Sequence, residues 1–263
     1  MGLLPKAVGP DHLRSRAPVI PAALRGVRGV VLDTDGVITD SARVHAEAWK
    51  RAFDAFLVEH PPELPEQRRP FDVREDYLRY VDGKSRLDGA ASFLASRGLR
   101  LPAETVEAVA ADKERRYVER LRKGGIDAYP GTVRLLRDLR GEGIALAAAS
   151  ASRHARELLQ HAGVLSRFDA LVDGAEAARL GLAGKPDPAL FLEAARRIGV
   201  PAADAVVVED ALAGVEAGRR GGFRVVIGVD RNATARTRAA LLRHGADIVV
   251  DDLGELLGEG GRP

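Results

Sequence analysis

Two aspartates stand two residues apart in Asp33-Thr34-Asp35-Gly36, directly after a run of aliphatic residues. At a strand end, carboxylates at this spacing face the same way and crowd each other. Such crowding is costly unless a cation holds the pair. A hard ion such as Mg²⁺ suits it and leaves room for phosphate and water. A strand-end Asp followed by an Asp-Gly turn would present the same residues, so the pair does not decide alone. Further on, Ser150-Ala151-Ser152 sets a hydroxyl among backbone N–H groups that could take phosphate oxygens. It could equally cap a helix. Gly184-Lys185-Pro186-Asp187-Pro188 offers a lysine fixed by a proline, suited to neutralising a phosphoryl group or simply solvated in a loop. Glu209-Asp210 then follows a valine run. A second acidic pair at a buried strand end is expensive without a counter-ion, although a helix N-terminus would also favour it.

The elements that must position these groups are legible in the hydrophobic pattern. Short, nearly continuous apolar runs lie at 27–32, 144–149, 168–172, 205–208, 224–229 and 247–250. Helix-length amphipathic stretches separate the later ones, at 131–140, 153–162 and 188–198. This alternation predicts an α/β fold with a doubly wound, Rossmann-like parallel sheet. Ligands of such sheets bind at the carboxyl ends of the strands, where all four motifs fall. The stretch from 41 to 124 is too long for a simple crossover. Its segments 42–58, 76–80, 89–97 and 104–121 have helical period, so it reads as an inserted α-helical cap with hinges near 40–42 and 123–125. The expected division is a lead-in at 1–25, a core at 26–40 and 125–251, the cap at 41–124, and a tail at 252–263.

Composition removes other classes. The 263 residues include 46% hydrophobic and 30% charged residues, a globular balance. With Cys 0, disulfides, thiolate metal sites and cysteine nucleophiles are excluded. Lys+Arg 40 against Asp+Glu 38 gives a net charge of +2, and aromatics are only 5%, with no basic, aromatic-studded stripe for nucleic acid. No apolar run approaches the roughly 20 residues of a membrane helix. No secretory leader is evident, so a cytoplasmic protein is expected. A monomer is expected because the cap must move.

In order along the chain, acid pair, hydroxyl, lysine and acid pair resemble the four motifs of the haloacid dehalogenase superfamily, over about residues 26 to 250. The insert after the first motif matches its helical-cap subgroup. Within it, Ser41, His45 and Trp49, spaced to share one helix face, resemble the β-phosphoglucomutase family. The segment Tyr80-Val81-Asp82-Gly83-Lys84-Ser85-Arg86 is similar to that family's cap loop. Read from the residues alone, Trp49 is a cap-core residue, and Arg86 and Lys113 are solvated charges.

The resemblance implies a mechanism. Asp33 attacks a phosphoryl group and forms an aspartyl phosphate. Asp35 is the general acid/base, with its pKa raised in the closed site. Mg²⁺ is held by Asp33, the backbone carbonyl of Asp35, and Glu209 with Asp210. Ser150, Ala151 and Lys185 hold the phosphoryl oxygens. Ser41 and His45 join the catalytic set, and His45 holds Asp35 inactive until substrate closes the cap. Trp49, Lys84, Arg86, Lys113 and Ser152 face the sugar and its distal phosphate. The implied reaction interconverts β-D-glucose 1-phosphate and glucose 6-phosphate through glucose 1,6-bisphosphate. The alternative is a sugar-phosphate phosphatase with the same cap, in which water attacks the aspartyl phosphate. The chain departs from the family pattern at Thr34, at Ser41, and at Arg153-His154, which replaces a Lys-Asn pair and bears on sugar specificity.

Overall fold

The computed structural model describes residues 24–123 and 126–257. Positions 1–23 of the expected lead-in, 124–125 of the second hinge and 258–263 of the tail lie outside the described residues. Six strands form one sheet: β1 (Gly29–Asp33), β2 (Ala145–Ala149), β3 (Ala170–Val172), β4 (Ala205–Glu209), β5 (Val225–Val229) and β6 (Ile248–Val250). Their order is β3-β2-β1-β4-β5-β6, and every neighbouring pair is parallel. β3 is shorter than the apolar run 168–172 suggests. The carboxylate of Asp169 accepts from the backbone N–H of Leu146 and from Arg140, and the strand starts only at Ala170.

Valine-rich strands suit a sheet buried on both sides, since side chains alternate between faces. Val30 and Leu32 join one core with Leu135, Leu136 and Leu139 of α4 (Pro130–Gly141). Val31 and Val207 join the other, against Phe191 of α7 (Ala189–Arg197) and Val215 of α8 (Leu212–Arg220). Each fully buried valine or leucine contributes about 1.5–3 kcal/mol relative to exposure. Between these helices lie α5 (Ala155–His161) and α6 (Gly174–Leu180), and α9 (Ala235–His244) precedes β6.

The insert forms its own layer from α1 (Ala42–Glu59), α2 (Arg86–Ser96) and α3 (Ala103–Lys123). Its core is aromatic. Phe53 packs on Trp49, Phe71 and Phe93 with ring centroids 4.7, 5.2 and 4.1 Å away. Where the periodicity predicts a helix over 76–80, the chain makes a π-helical turn, Tyr77–Val81. The backbone N–H of Asp82 closes it onto the Tyr77 carbonyl at 3.0 Å. The widened turn delivers Asp82 and Gly83 to the underside of the cap. There Gly83, at φ +68°, lies against Ala211 of the core, so close that an added Cβ would stand 2.8 Å from the Ala211 Cβ.

The sheet reverses its winding direction between β1 and β4. Leu32 is in register with Val208, which sets Asp33 and Glu209 side by side at the carboxyl ends. Asp33 is in register with Ala149, which brings Ser150 alongside. Topology alone therefore gathers three of the four motifs at one switch point.

Candidate active site

Asp33 and Glu209 are buried, and a lysine joins them. Nζ of Lys185 donates to Oδ1 of Asp33 at 2.6 Å and to Oε2 of Glu209 at 2.7 Å, and is itself wholly buried. Asp210 completes a group in which one carboxylate oxygen each from Asp33, Glu209 and Asp210 lie within 4.8 Å of one another. Burial raises the Asp33 carboxyl and outweighs the opposing pull of Lys185. Burial and the Asp33 charge push Glu209 up to about 8. Burial, then Asp82 and Glu209, drive Asp210 well above the carboxylate range. Lys185, despite its burial, is held charged by Asp33 and Glu209. One ammonium group does not neutralise three crowded carboxylates. A hard divalent cation with oxygen ligands fits this donor set. Gly36 makes the approach feasible. It adopts φ +77°, and an added Cβ would sit 1.7 Å from Oδ2 of Asp210.

Asp35 faces the other way. Its backbone N–H donates to Oδ2 of Asp33 at 2.9 Å, while its carboxylate turns to the cap hinge. Ser41 begins α1 but makes no side-chain cap there; its hydroxyl donates to Oδ1 of Asp35 instead. Nε2 of His45 lies 3.4 Å from the same oxygen, near enough for attraction though out of line for a full hydrogen bond. Nζ of Lys113 donates to Nδ1 of His45 at 2.8 Å, which leaves the ring proton on Nε2, towards Asp35. Burial and Lys113 both depress the imidazole, consistent with a neutral ring. Burial would raise Asp35, but His45, Ser41 and Lys113 together hold it well below the usual range. The raised value expected for this residue is therefore not present in this arrangement, because cap groups supply donors and positive charge.

Ser150 is fully buried. Thr34 Oγ1 donates to it at 2.6 Å, and its own hydroxyl points to Oδ2 of Asp35 at 3.4 Å. The backbone N–H of Ser152 returns to Ser150 Oγ at 3.1 Å, folding Ser150-Ala151-Ser152 into a tight loop. Thr34 was legible only as a departure from an apolar pattern, yet its hydroxyl meets both Ser150 and Asp35.

A cavity of 290 Å³ lies between sheet and cap. Asp33, Asp35, Lys185, Glu209 and Asp210 line its core side. His45, Trp49, Lys84, Arg86 and Lys113 line the cap side, and Ala151 and Ser152 reach it as well. Trp49 is both cap core and cavity wall: it is 4% exposed and carries Lys113 over its ring at 5.4 Å. Lys84 is half turned away, donating to Ser92 at 3.1 Å. Lys113 is 4% exposed; burial and Arg86 depress its ammonium group to about 8 against the pull of Glu114 and Asp35. Sequence reasoning passed over Asp82. It lines the cavity and is pushed up to about 7 by burial and the charge of Asp33. Its only signal was its place in the cap loop, two residues before an Asp-free basic stretch.

The fold and this carboxylate–lysine centre define a phosphoryl-transfer class of enzyme. The sequence model of the haloacid dehalogenase-like hydrolase family matches residues 27–222, and the chain belongs to that family. It is 42% identical over 255 residues to a beta-phosphoglucomutase of Mycobacterium tuberculosis, covering 94% of this chain and 96% of that one. Among solved structures it is similar to a hydrolase from Pseudomonas syringae, at 28% identity and TM-score 0.72, covering 88% and 97% of the two chains. A beta-phosphoglucomutase from Clostridium difficile matches at 25% identity and TM-score 0.68, covering 89% and 95%. No helix among the described residues is long and apolar enough to cross a membrane.

Proposed function

We propose that the chain is a Mg²⁺-dependent phosphotransferase that interconverts β-D-glucose 1-phosphate and glucose 6-phosphate through enzyme-bound glucose 1,6-bisphosphate. The observation that carries this reading is the two-ended cavity. Asp33 and Lys185, with the Ala151-Ser152 loop, line its core side; Arg86 and Lys113 line its cap side. A bisphosphate needs both ends filled, and it must be able to turn round and bind either way. The relatives named as beta-phosphoglucomutases support the same reading.

Asp33 supplies the attacking carboxylate and becomes an aspartyl phosphate. Lys185 and the Ser150–Ser152 loop hold the transferring oxygens, where positioning and charge stabilisation provide most of the rate. Asp33, Glu209 and Asp210, with the Asp35 backbone carbonyl, would hold the Mg²⁺. When bound, the ion screens the repulsion between carboxylate and phosphate oxygens. Asp35 gives a proton to the departing sugar oxygen and later takes one from the attacking hydroxyl. Ser41 and His45 keep its carboxylate aimed through contacts made with the cap in place. Arg86 grips the distal phosphate by its fork geometry, and Lys113 by charge. Trp49, Lys84 and Ser152 flank the sugar. In this assignment residues 41–124 are the moving cap, and 26–40 with 125–251 are the core.

The second reading is a sugar-phosphate phosphatase that shares all of this and lets water attack the aspartyl phosphate. A coupled assay for glucose 6-phosphate separates them. A mutase is activated by a trace of β-glucose 1,6-bisphosphate and forms glucose 6-phosphate far in excess of it, whereas a phosphatase forms at most as much glucose 6-phosphate as the bisphosphate supplied and releases inorganic phosphate as its main product.

A further inference from the structure

Arg153-His154, the pair that departs from the family pattern, follows β2; Arg153 lines the cavity and His154 does not. His154 does not point at the site. Its Nε2 meets Oε1 of Glu114, on cap helix α3, at 2.6 Å. Among the described residues this is the only side-chain hydrogen bond joining helices α1–α3 to the sheet domain. The other charged contact across that boundary is His45 with Asp35, at 3.4 Å. At the hinge Ser41 also donates to Asp35, and elsewhere Gly83 packs against Ala211 and Gly184 against Asp88. Both partners of the His154–Glu114 pair are partly shielded, with side-chain exposures of 25% and 21%. Glu114 neighbours Lys113, at 3.8 Å, which donates to His45. The pair therefore sits at the end of a side-chain chain that runs from Asp35 through His45 and Lys113.

We propose that Glu114 and His154 form a latch that holds the cap closed over the site, making them positioning residues for the reaction assigned above. The inference rests on that assignment only for its consequence. With the latch open, water reaches Asp33 more often; with it closed, the sugar hydroxyl has the site to itself. The closure itself is a property of the free protein.

The latch needs an imidazolium. Glu114 and Tyr117 from α3 and Glu157 from α5 face His154, and Lys113 and Arg86 act on Glu114. The hydrogen bond from Glu114, ahead of its charge and that of Glu157, raises His154 against the opposing effect of burial. The His154 bond, together with Lys113, holds Glu114 down to about 2 even though burial opposes it. Because the histidine is raised and the glutamate lowered, the pair keeps its charge to higher pH than a free imidazole would. It is lost as pH rises through the raised imidazole value.

The chain has Cys 0, so two introduced cysteines can carry spin labels without background. With Glu107→Cys on α3 and Glu142→Cys after α4, pulsed dipolar spectroscopy reads the cap–core distance without substrate. In the parent, a dominant short-distance population with a minor longer one is expected at neutral pH, the longer one growing as pH rises past the imidazole range. Adding His154→Gln or Glu114→Gln is expected to raise the longer population roughly fivefold at neutral pH, and to remove its pH dependence. Distance distributions that are unchanged in both variants, or a parent distribution that does not move with pH, would overturn the latch. Neither result depends on which product the enzyme makes. The ratio of glucose 6-phosphate to inorganic phosphate in the parent judges the mutase assignment separately.

Discussion

Lys185 bridges Asp33 and Glu209, with Nζ at 2.6 Å from one carboxylate and 2.7 Å from the other, although the three residues come from separate segments of the chain. The bridge exists because β1 and β4 are neighbours at the sheet's switch point, which sets Asp33 and Glu209 side by side for Lys185 to join. On the proposed function, it fixes the geometry in which Asp33 would attack. Asp33→Asn is expected to abolish turnover, by about four orders of magnitude or more, and to abolish acid-stable ³²P labelling of the protein. Labelling that survives would place the nucleophile elsewhere.

The same three carboxylates are expected to make stability depend on divalent cation. Asp33, Glu209 and Asp210 all resist ionisation in each other's company. A ligand that binds only the folded form stabilises it by about 2.7 kcal/mol at a hundred times its Kd. Thermal unfolding in EDTA is expected to occur at lower temperature than in excess Mg²⁺, and the shift should vanish in Asp210→Ala. Equal midpoints in the parent would argue against a metal at this site.

Gly36 tests the close packing under Asp210. Its φ of +77° disfavours any L side chain, and an added Cβ would meet the Asp210 carboxylate at 1.7 Å. Left-handed backbone alone costs a non-glycine residue roughly 1–2 kcal/mol. Gly36→Ala is expected to lose Mg²⁺ affinity and activity together, measured by calorimetry and initial rates.

Lys113 gives the pH dependence of the cap end. Burial and Arg86 lower its ammonium group to about 8, below the usual lysine value. Between that value and the unfolded one, the unfolded chain binds more protons. Folding therefore gains from this residue as pH rises, while phosphate loses a charged partner. KM is expected to climb above about pH 8 with less change in kcat, and the climb should be absent in Lys113→Arg. Arg86→Ala is expected to lower kcat/KM by roughly 10- to 100-fold through loss of charge-assisted bonds to phosphate.

The core was readable because its physics is one-dimensional. Unbroken valine runs mark strands buried on both faces, and residues just beyond each run must lie at one edge of a parallel sheet. That logic brings Asp33, Ser150 and Glu209 together with no contact known in advance. The cap was less legible. Helical period finds α1 and α3, but the turn at Tyr77–Val81 depends on how the chain must reach the core, which no periodicity encodes. Thr34 and His154 were visible as departures whose purpose lay in partners 116 and 40 residues away, Ser150 and Glu114. Asp35 also differs from expectation. Its charge state is set by Ser41, His45 and Lys113, and their distances are a product of cap placement.

The central claim is that the phosphoryl group on Asp33 passes to a sugar hydroxyl rather than to water. A ³¹P NMR time course tests it most directly, using the purified chain, Mg²⁺, β-glucose 1-phosphate and a trace of β-glucose 1,6-bisphosphate. The account predicts growth of the glucose 6-phosphate resonance with little inorganic phosphate. Inorganic phosphate as the main product, without glucose 6-phosphate, would contradict it and make the chain a phosphatase.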